Sequence, residues 1–155
     1  MSMEIYVLSP RRLQSIHEWQ QAVDKYDFPI RFDLRIDFDK VSGFLPLQFR
    51  GKLSGFECDH WGIKDIEETY DQVTIDPHFK HALAFRWGGD FSELVSALQA
   101  AAAYAVATDG VVFDCQEGEI NSATRAVEVA RETEAALPQI EATMERALDE
   151  FKSKK

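Results

Sequence analysis

The side chains able to do chemistry in this sequence are few and widely spaced. Cys58-Asp59-His60, His78-x-x-His81 and Cys115 could each ligate a metal, yet zinc sites are built from C-x-x-C or H-x₃₋₅-H pairs joined to a second pair at set spacing. His78 and His81 fit neither spacing and no C-x-x-C occurs, so neither a metal nor a cofactor is expected. Gly88-Gly89 opens a helix start whose free amides could take a phosphate. Asp90, however, sets a carboxylate on those amides, and no P-loop lysine follows. No G-x-S-x-G elbow is present, and Cys115 follows an apolar run, where a thiol is inert. One small-ligand or enzyme reading survives, with Arg86, Trp87 and Asp90 at a strand end and His78 or His81 as base. The motifs themselves give enzymatic activity no support.

The charges say more. The chain has 155 residues with 17 Lys+Arg and 27 Asp+Glu, a formal net charge of −10. Nucleic acids and anionic membrane surfaces attract Lys/Arg clusters, so neither is an expected partner. Nearly the whole surplus lies between residues 61 and 120, where 11 acids stand against Lys64, Lys80 and Arg86 alone. An acidic stretch of this kind has two readings, a solvated surface that keeps the chain soluble and a face that steers and holds a basic protein. The expected contact residues are Glu67, Glu68, Asp71, Asp114, Glu117 and Glu119, with Trp61 as aromatic anchor.

These residues need a scaffold, and the chain is long enough to build one. At this length a single domain hides roughly 68–70% of its unfolded surface, so no disulfide staple is required, and two cysteines frame no secreted scaffold. Residues 4–9 predict a strand. Ser9-Pro10 predicts the start of a helix with Leu13, Ile16, Trp19, Val23 and Tyr26 on its apolar face. From Ile30 to Asp39 apolar and charged residues alternate without a break, which predicts a ten-residue strand with one wet face. Residues 47–50 and 55–58 predict further strands of an antiparallel meander, and 64–70 a turn or two of helix.

Residues 82–87 predict another strand. Asp90 and Glu93 form a capping-box pattern for an alanine-rich helix over 91–108, closed by Asp109-Gly110 and followed by the apolar strand Val111-Val112-Phe113. The C-terminal segment, with Asn121 or Ser122 as cap, is helical, and Pro138 is expected to kink or break it. Its stripe Leu137, Ile140, Met144, Ala147, Phe151 offers a surface for a homo-oligomer. The expected fold is one α+β domain over residues 1–155, with a single mixed or mainly antiparallel sheet and helices packed on one face. The first residues lack the basic start and apolar stretch of a secretory leader. The longest run without a polar residue, 100–107, is far short of the roughly 20 residues of a membrane span. A cytoplasmic protein is expected.

Phe85-Arg86-Trp87-Gly88-Gly89-Asp90-Phe91-Ser92-Glu93 and, beyond the alanine-rich helix, Asp109-Gly110-Val111-Val112-Phe113-Asp114-Cys115-Gln116-Glu117-Gly118 resemble a family of small bacterial proteins. Its members share an arginine-tryptophan-glycine strand end, an alanine-rich helix and a G-V-V-x-D-x-Q-E-G strand and turn. The likeness covers residues 80–130, with a fainter counterpart over 56–61. Proteins of this appearance resemble the immunity proteins of bacterial polymorphic-toxin and contact-dependent inhibition systems. The resemblance implies a non-enzymatic, partner-binding protein that neutralises a cognate toxin, and it carries over no catalytic residue.

Overall fold

A computed structural model describes residues 3–153; Lys154, Lys155 and the side chain of Met144, which belongs to the C-terminal stripe, lie outside the described set. In chain order the elements are β1 (Met3–Ser9), α1 (Ile16–Lys25), β2 (Ile30–Phe32), β3 (Phe44–Phe49), β4 (Lys52–Trp61), α2 (Ile63–Thr69), β5 (His81–Trp87), α3 (Phe91–Thr108), β6 (Val111–Asp114), β7 (Glu119–Ser122) and α4 (Ala123–Ser153). The strands form one sheet in the order β2-β3-β4-β5-β1-β6-β7, antiparallel at every pairing. The fold is α+β.

The apolar run Ile5-Tyr6-Val7-Leu8 fills the inner strand β1, and all four side chains are buried. Alternation sends Ile5 and Val7 to one face and Tyr6 and Leu8 to the other. The first face carries the larger core, covered by α1, α3 and α4. Trp19 of α1 sits at its middle, with the rings of Phe32, Phe38, Phe56, Phe85 and Tyr104 at centroid distances of 4.7 to 6.5 Å. Its indole N–H donates to the Ala100 carbonyl at 2.9 Å. Ala97, Ala100, Ala101, Ala102, Ala103 and Ala105 of α3 are all buried; side chains this small let the neighbouring helices and the sheet approach its backbone closely. On the second face a smaller core joins Tyr6, Leu8, Ala82, Ala84 and Phe113 to Ile66 of α2 and Ile75 of the following loop.

Several elements depart from the sequence reading. The alternating run from Ile30 is a strand only to Phe32. The Asp33 carboxylate accepts from the Arg35 N–H at 3.0 Å, and Asp37 accepts from the Asp39 N–H at 3.1 Å to cap a 3₁₀ turn at Phe38–Lys40. Aspartates that bind nearby backbone draw it out of a ladder into turns. The alternation still delivers Phe32 and Phe38 to the core. Ser9 does not start α1, because it is still paired with His81 in the sheet. Ser15 is the cap, accepting from the Glu18 N–H at 3.2 Å.

Residues 119–122, read as turn and cap, add an edge strand, with Ile120 opposite Phe113. Ser122 then caps α4 through the Arg125 N–H at 3.1 Å. Pro138 lies inside α4 without breaking it. Just before the proline, Glu134 ties the helix to the body, accepting from Gln99 at 2.7 Å and Arg50 at 3.0 Å. Leu137 of the C-terminal stripe is consumed by the core, whereas Ala147 and Phe151 are exposed. Among the described residues no helix is long and apolar enough to cross a membrane.

Trp19→Ala removes the ring on which the larger core closes and is expected to cost about 3–5 kcal/mol, whereas Leu53→Ala on the exposed surface should stay within about 0.5 kcal/mol. Urea denaturation of both variants checks this. Equal losses at the two sites would contradict the placement of the core.

Candidate functional site

The second face of the sheet concentrates the polar and aromatic side chains that the main core leaves over. Alternation puts Glu4, Tyr6 and Leu8 of β1 on this face, opposite Arg86, Ala84 and Ala82 of β5. The two alanines leave room above β5, so Tyr6 meets Trp61 of β4 edge-on at a centroid distance of 5.3 Å. Tyr70, just past α2, closes the group at 5.8 Å from Tyr6 and 5.3 Å from Phe113 of β6. Aromatic pairs at these separations and tilts are favourable.

A polar chain runs along the edge of this cluster. The Tyr6 hydroxyl donates to Glu4 Oε1 at 2.6 Å, and the same oxygen accepts from Arg86 at 3.1 Å. The hydroxyls of Tyr6 and Tyr70 lie 3.5 Å apart, and the Cys115 thiol donates to the Glu4 carbonyl at 3.0 Å. Burial, reinforced by Glu4, drives the Tyr6 phenol far above its usual range. Burial also pushes Tyr70 up to about 12 and raises the Cys115 thiol. Groups shifted in this direction keep their protons at neutral pH. The cluster therefore presents its two phenols and its thiol in the protonated form. Sequence reasoning missed Glu4, Tyr6 and Tyr70; the only local signal was the alternation of β1, and their meeting depends on strand order.

The predicted contact residues divide into two groups that adjoin. Glu67 and Glu68 lie exposed on α2, and Asp71 follows its end. Asp114 ends β6, its carboxylate building the β6–β7 turn by accepting from the N–H groups of Gln116 and Glu117 at 3.1 and 3.2 Å. Glu117 and Glu119 are exposed beyond it. Tyr70 against Phe113 brings the two groups side by side. Trp61 stands on the far side of Tyr6, where a shallow depression of about 320 Å³ is lined by His60, Trp61, Asp65, Glu68 and Thr69. Among the described residues, none of these six acids makes an ion pair, whereas carboxylates elsewhere are held by Arg11, Arg12, Arg35, Arg50, Arg86 and Arg125.

Other acids of the 61–120 stretch are engaged elsewhere. Asp109 pairs with Arg11 at 3.2 Å, and Asp76 binds His78 at 2.7 Å.

The alternative ligand site does not assemble. Arg86 and Trp87 are consecutive on a strand and point to opposite faces, Arg86 to solvent and Trp87 into the core beneath the helices. Asp90 caps α3, accepting from both the N–H and the hydroxyl of Ser92 at 2.8 Å. His81 begins β5, five residues and roughly 16 Å along the strand from Arg86. Its pKa is lowered, first by burial and then by Arg12 and His60. Among the described residues no group of three or more His, Cys, Asp or Glu is placed to hold a metal ion. No protein-family model, curated protein or solved structure matches the chain.

The raised phenol of Tyr70 gives a pH test. The unfolded chain ionises it near 10 and the folded chain near 12, so its contribution to stability is complete below about pH 10 and drains away as pH rises towards about 12. A phenolate absorbance titration of the folded chain should show Tyr70 and Tyr104 ionising together near 12 and lose the amplitude of one tyrosine there in Tyr70→Phe. Loss of a step near 10 instead would contradict the burial of that hydroxyl.

Proposed function

We propose that this chain is a non-enzymatic binding protein that takes a basic protein on the acidic end of its second sheet face. In this reading it is an immunity protein, acting in the cytoplasm, that neutralises a bacterial toxin by covering its active cleft. One observation carries the reading: six carboxylates on α2, just past it and on the β6–β7 hairpin have no ion-pair partner among the described residues, and they flank a packed aromatic cluster.

Unpaired surface carboxylates add to one another's field and raise the encounter rate with a basic surface. A toxin that attacks nucleic acid must hold a polyanion, so its cleft is basic, and an acidic surface of this kind competes for it. Trp61, half-exposed beside the depression under α2, supplies the aromatic anchor that charge alone lacks. The raised pKa values of Tyr70 and Cys115 support binding over catalysis, since an activated nucleophile has a lowered one.

Glu67→Lys, Glu68→Lys and Glu117→Lys together spare Asp114, whose carboxylate builds the turn. Against the basic protein captured on the wild-type chain, this triple variant should associate at least about tenfold more slowly at low salt and show a flatter salt dependence. An unchanged rate and an unchanged salt slope would overturn this placement of the contact face.

A further inference from the structure

The sheet ends in two edge strands, β2 and β7, and they are finished differently. On β2 the Gln20 side chain of α1 takes the place of a further strand. Its amide N–H donates to the Ile30 carbonyl at 3.0 Å, and its oxygen accepts from the Phe32 N–H at 2.7 Å.

Which groups of β7 point outward follows from the ladder. In an antiparallel sheet each residue turns its N–H and C=O to one neighbouring strand, and the next residue turns them to the other. The Cys58 N–H donates to the Gly43 carbonyl at 2.8 Å, so Cys58 faces away from β5; the Ser9 carbonyl accepts from the Lys80 N–H at 2.9 Å, so Ser9 faces towards β5. Carried through the registers of β5, β1 and β6, both bonds give the same phase: Val112 and Asp114 turn to Asn121 and Glu119 of β7. Ile120 and Ser122 therefore turn outward. Among the described residues the Ile120 N–H, the Ile120 carbonyl and the Ser122 N–H have no hydrogen-bond partner. Such an edge is a template for another strand unless lysine, proline or a covering side chain blunts it. The sequence of β7, Glu-Ile-Asn-Ser, carries neither residue, and β2 alone has the covering glutamine.

We propose that the β7 edge receives an extended segment of the basic partner as an added outer strand. This rests on the reading that the partner is a basic protein, and it adds how that protein docks. Ile120 is 44% exposed on the second face, across from Phe113. A residue of the incoming strand that exchanges both main-chain bonds with Ile120 sets its own side chain beside that isoleucine, where an apolar one fits. Its neighbours project to the other face, where a lysine or arginine meets Glu119, with Asp114 next to it in the ladder. Main-chain bonds then supply affinity and the alternation supplies selectivity. Charge favours such a segment over a second copy, which would bring the same acids and a formal −10 to this edge.

The probe is an acetylated and amidated peptide, Lys-Val-Lys-Val-Lys, added at low salt to the nitrogen-15-labelled chain, with chemical shifts and amide exchange read residue by residue. In the free chain Asn121, bonded to Val112, should exchange more slowly than Ile120 and Ser122. Saturating peptide should slow Ile120 and Ser122 at least about tenfold. The same peptide N-methylated at both valines keeps its charge but loses the donors that face Ile120, and it should bind at least about tenfold more weakly. Ile120→Pro removes an N–H that no ladder bond uses, so it should keep the thermal stability of the chain and weaken the peptide to the same degree. Unchanged exchange at Ile120 and Ser122, or an N-methylated peptide that binds equally well, overturns strand addition. Should the peptide then still shift α2 and residues 114–119, the basic-partner reading stands and only the docking mode falls; a peptide that moves neither region removes both. Protection of Ile120 and Ser122 that grows with chain concentration alone would give the edge to a second copy and overturn the proposal.

Discussion

Two-sided burial of β1 is the constraint on which the rest of the structure depends. Its neighbours β5 and β6 pair with it on both edges, and Tyr6, Val7 and Leu8 have no exposed surface. A strand closed on four sides allows no slip in register, because a shift of one residue would exchange the contents of two different cores. Ile5 and Val7 demand the thick cover that Trp19 and the alanines of α3 provide. Tyr6 and Leu8 demand a thinner one, and α2 with the loop to Ile75 provides it. That inequality leaves the second face only partly covered, and its exposed surfaces are the ones available to partners.

The second face is electrostatically divided. Over β1 and β6 the acids of α2 and the β6–β7 turn surround aromatic rings whose hydroxyls stay protonated; over β2 and β3 the surface is apolar with Arg31 at its end. Arginines elsewhere neutralise acids one by one, as Arg11 does for Asp109 and Arg50 for Glu134. The residual charge of the chain is therefore local. Exposed ion pairs add little stability, so this arrangement matters for encounter and orientation more than for folding.

Much of the fold was legible because local signals agreed. Asp90, the alanine-rich run and Asp109-Gly110 mark both ends of α3, and the glycine-broken meander and the β5 strand lie where periodicity and turn chemistry place them. Legibility failed where one signal had two outcomes. The alternation from Ile30 fits a strand, but Asp33 and Asp37 bend it into turns. Pro138 predicts a kink or a break, and of the two the break does not occur: the helix continues past it, anchored just upstream by Glu134. Of the candidate site, the acids of α2 and of the 114–119 turn were readable as charge, but their meeting through Tyr70 and Phe113 was not. Such a meeting is set by strand order, which local pattern does not encode. Arg86 and Trp87 show the converse: neighbours in sequence, they are separated by the sheet itself.

The central claim is that the acidic part of the second face receives the partner. Amide hydrogen exchange of the chain, free and bound to the captured basic protein, tests it most directly. The account predicts added protection in α2 and across residues 114–119, with the outer surfaces of α1 and α3 unchanged. Protection confined to those helices, with α2 and the β6–β7 turn exchanging as in the free chain, would contradict it.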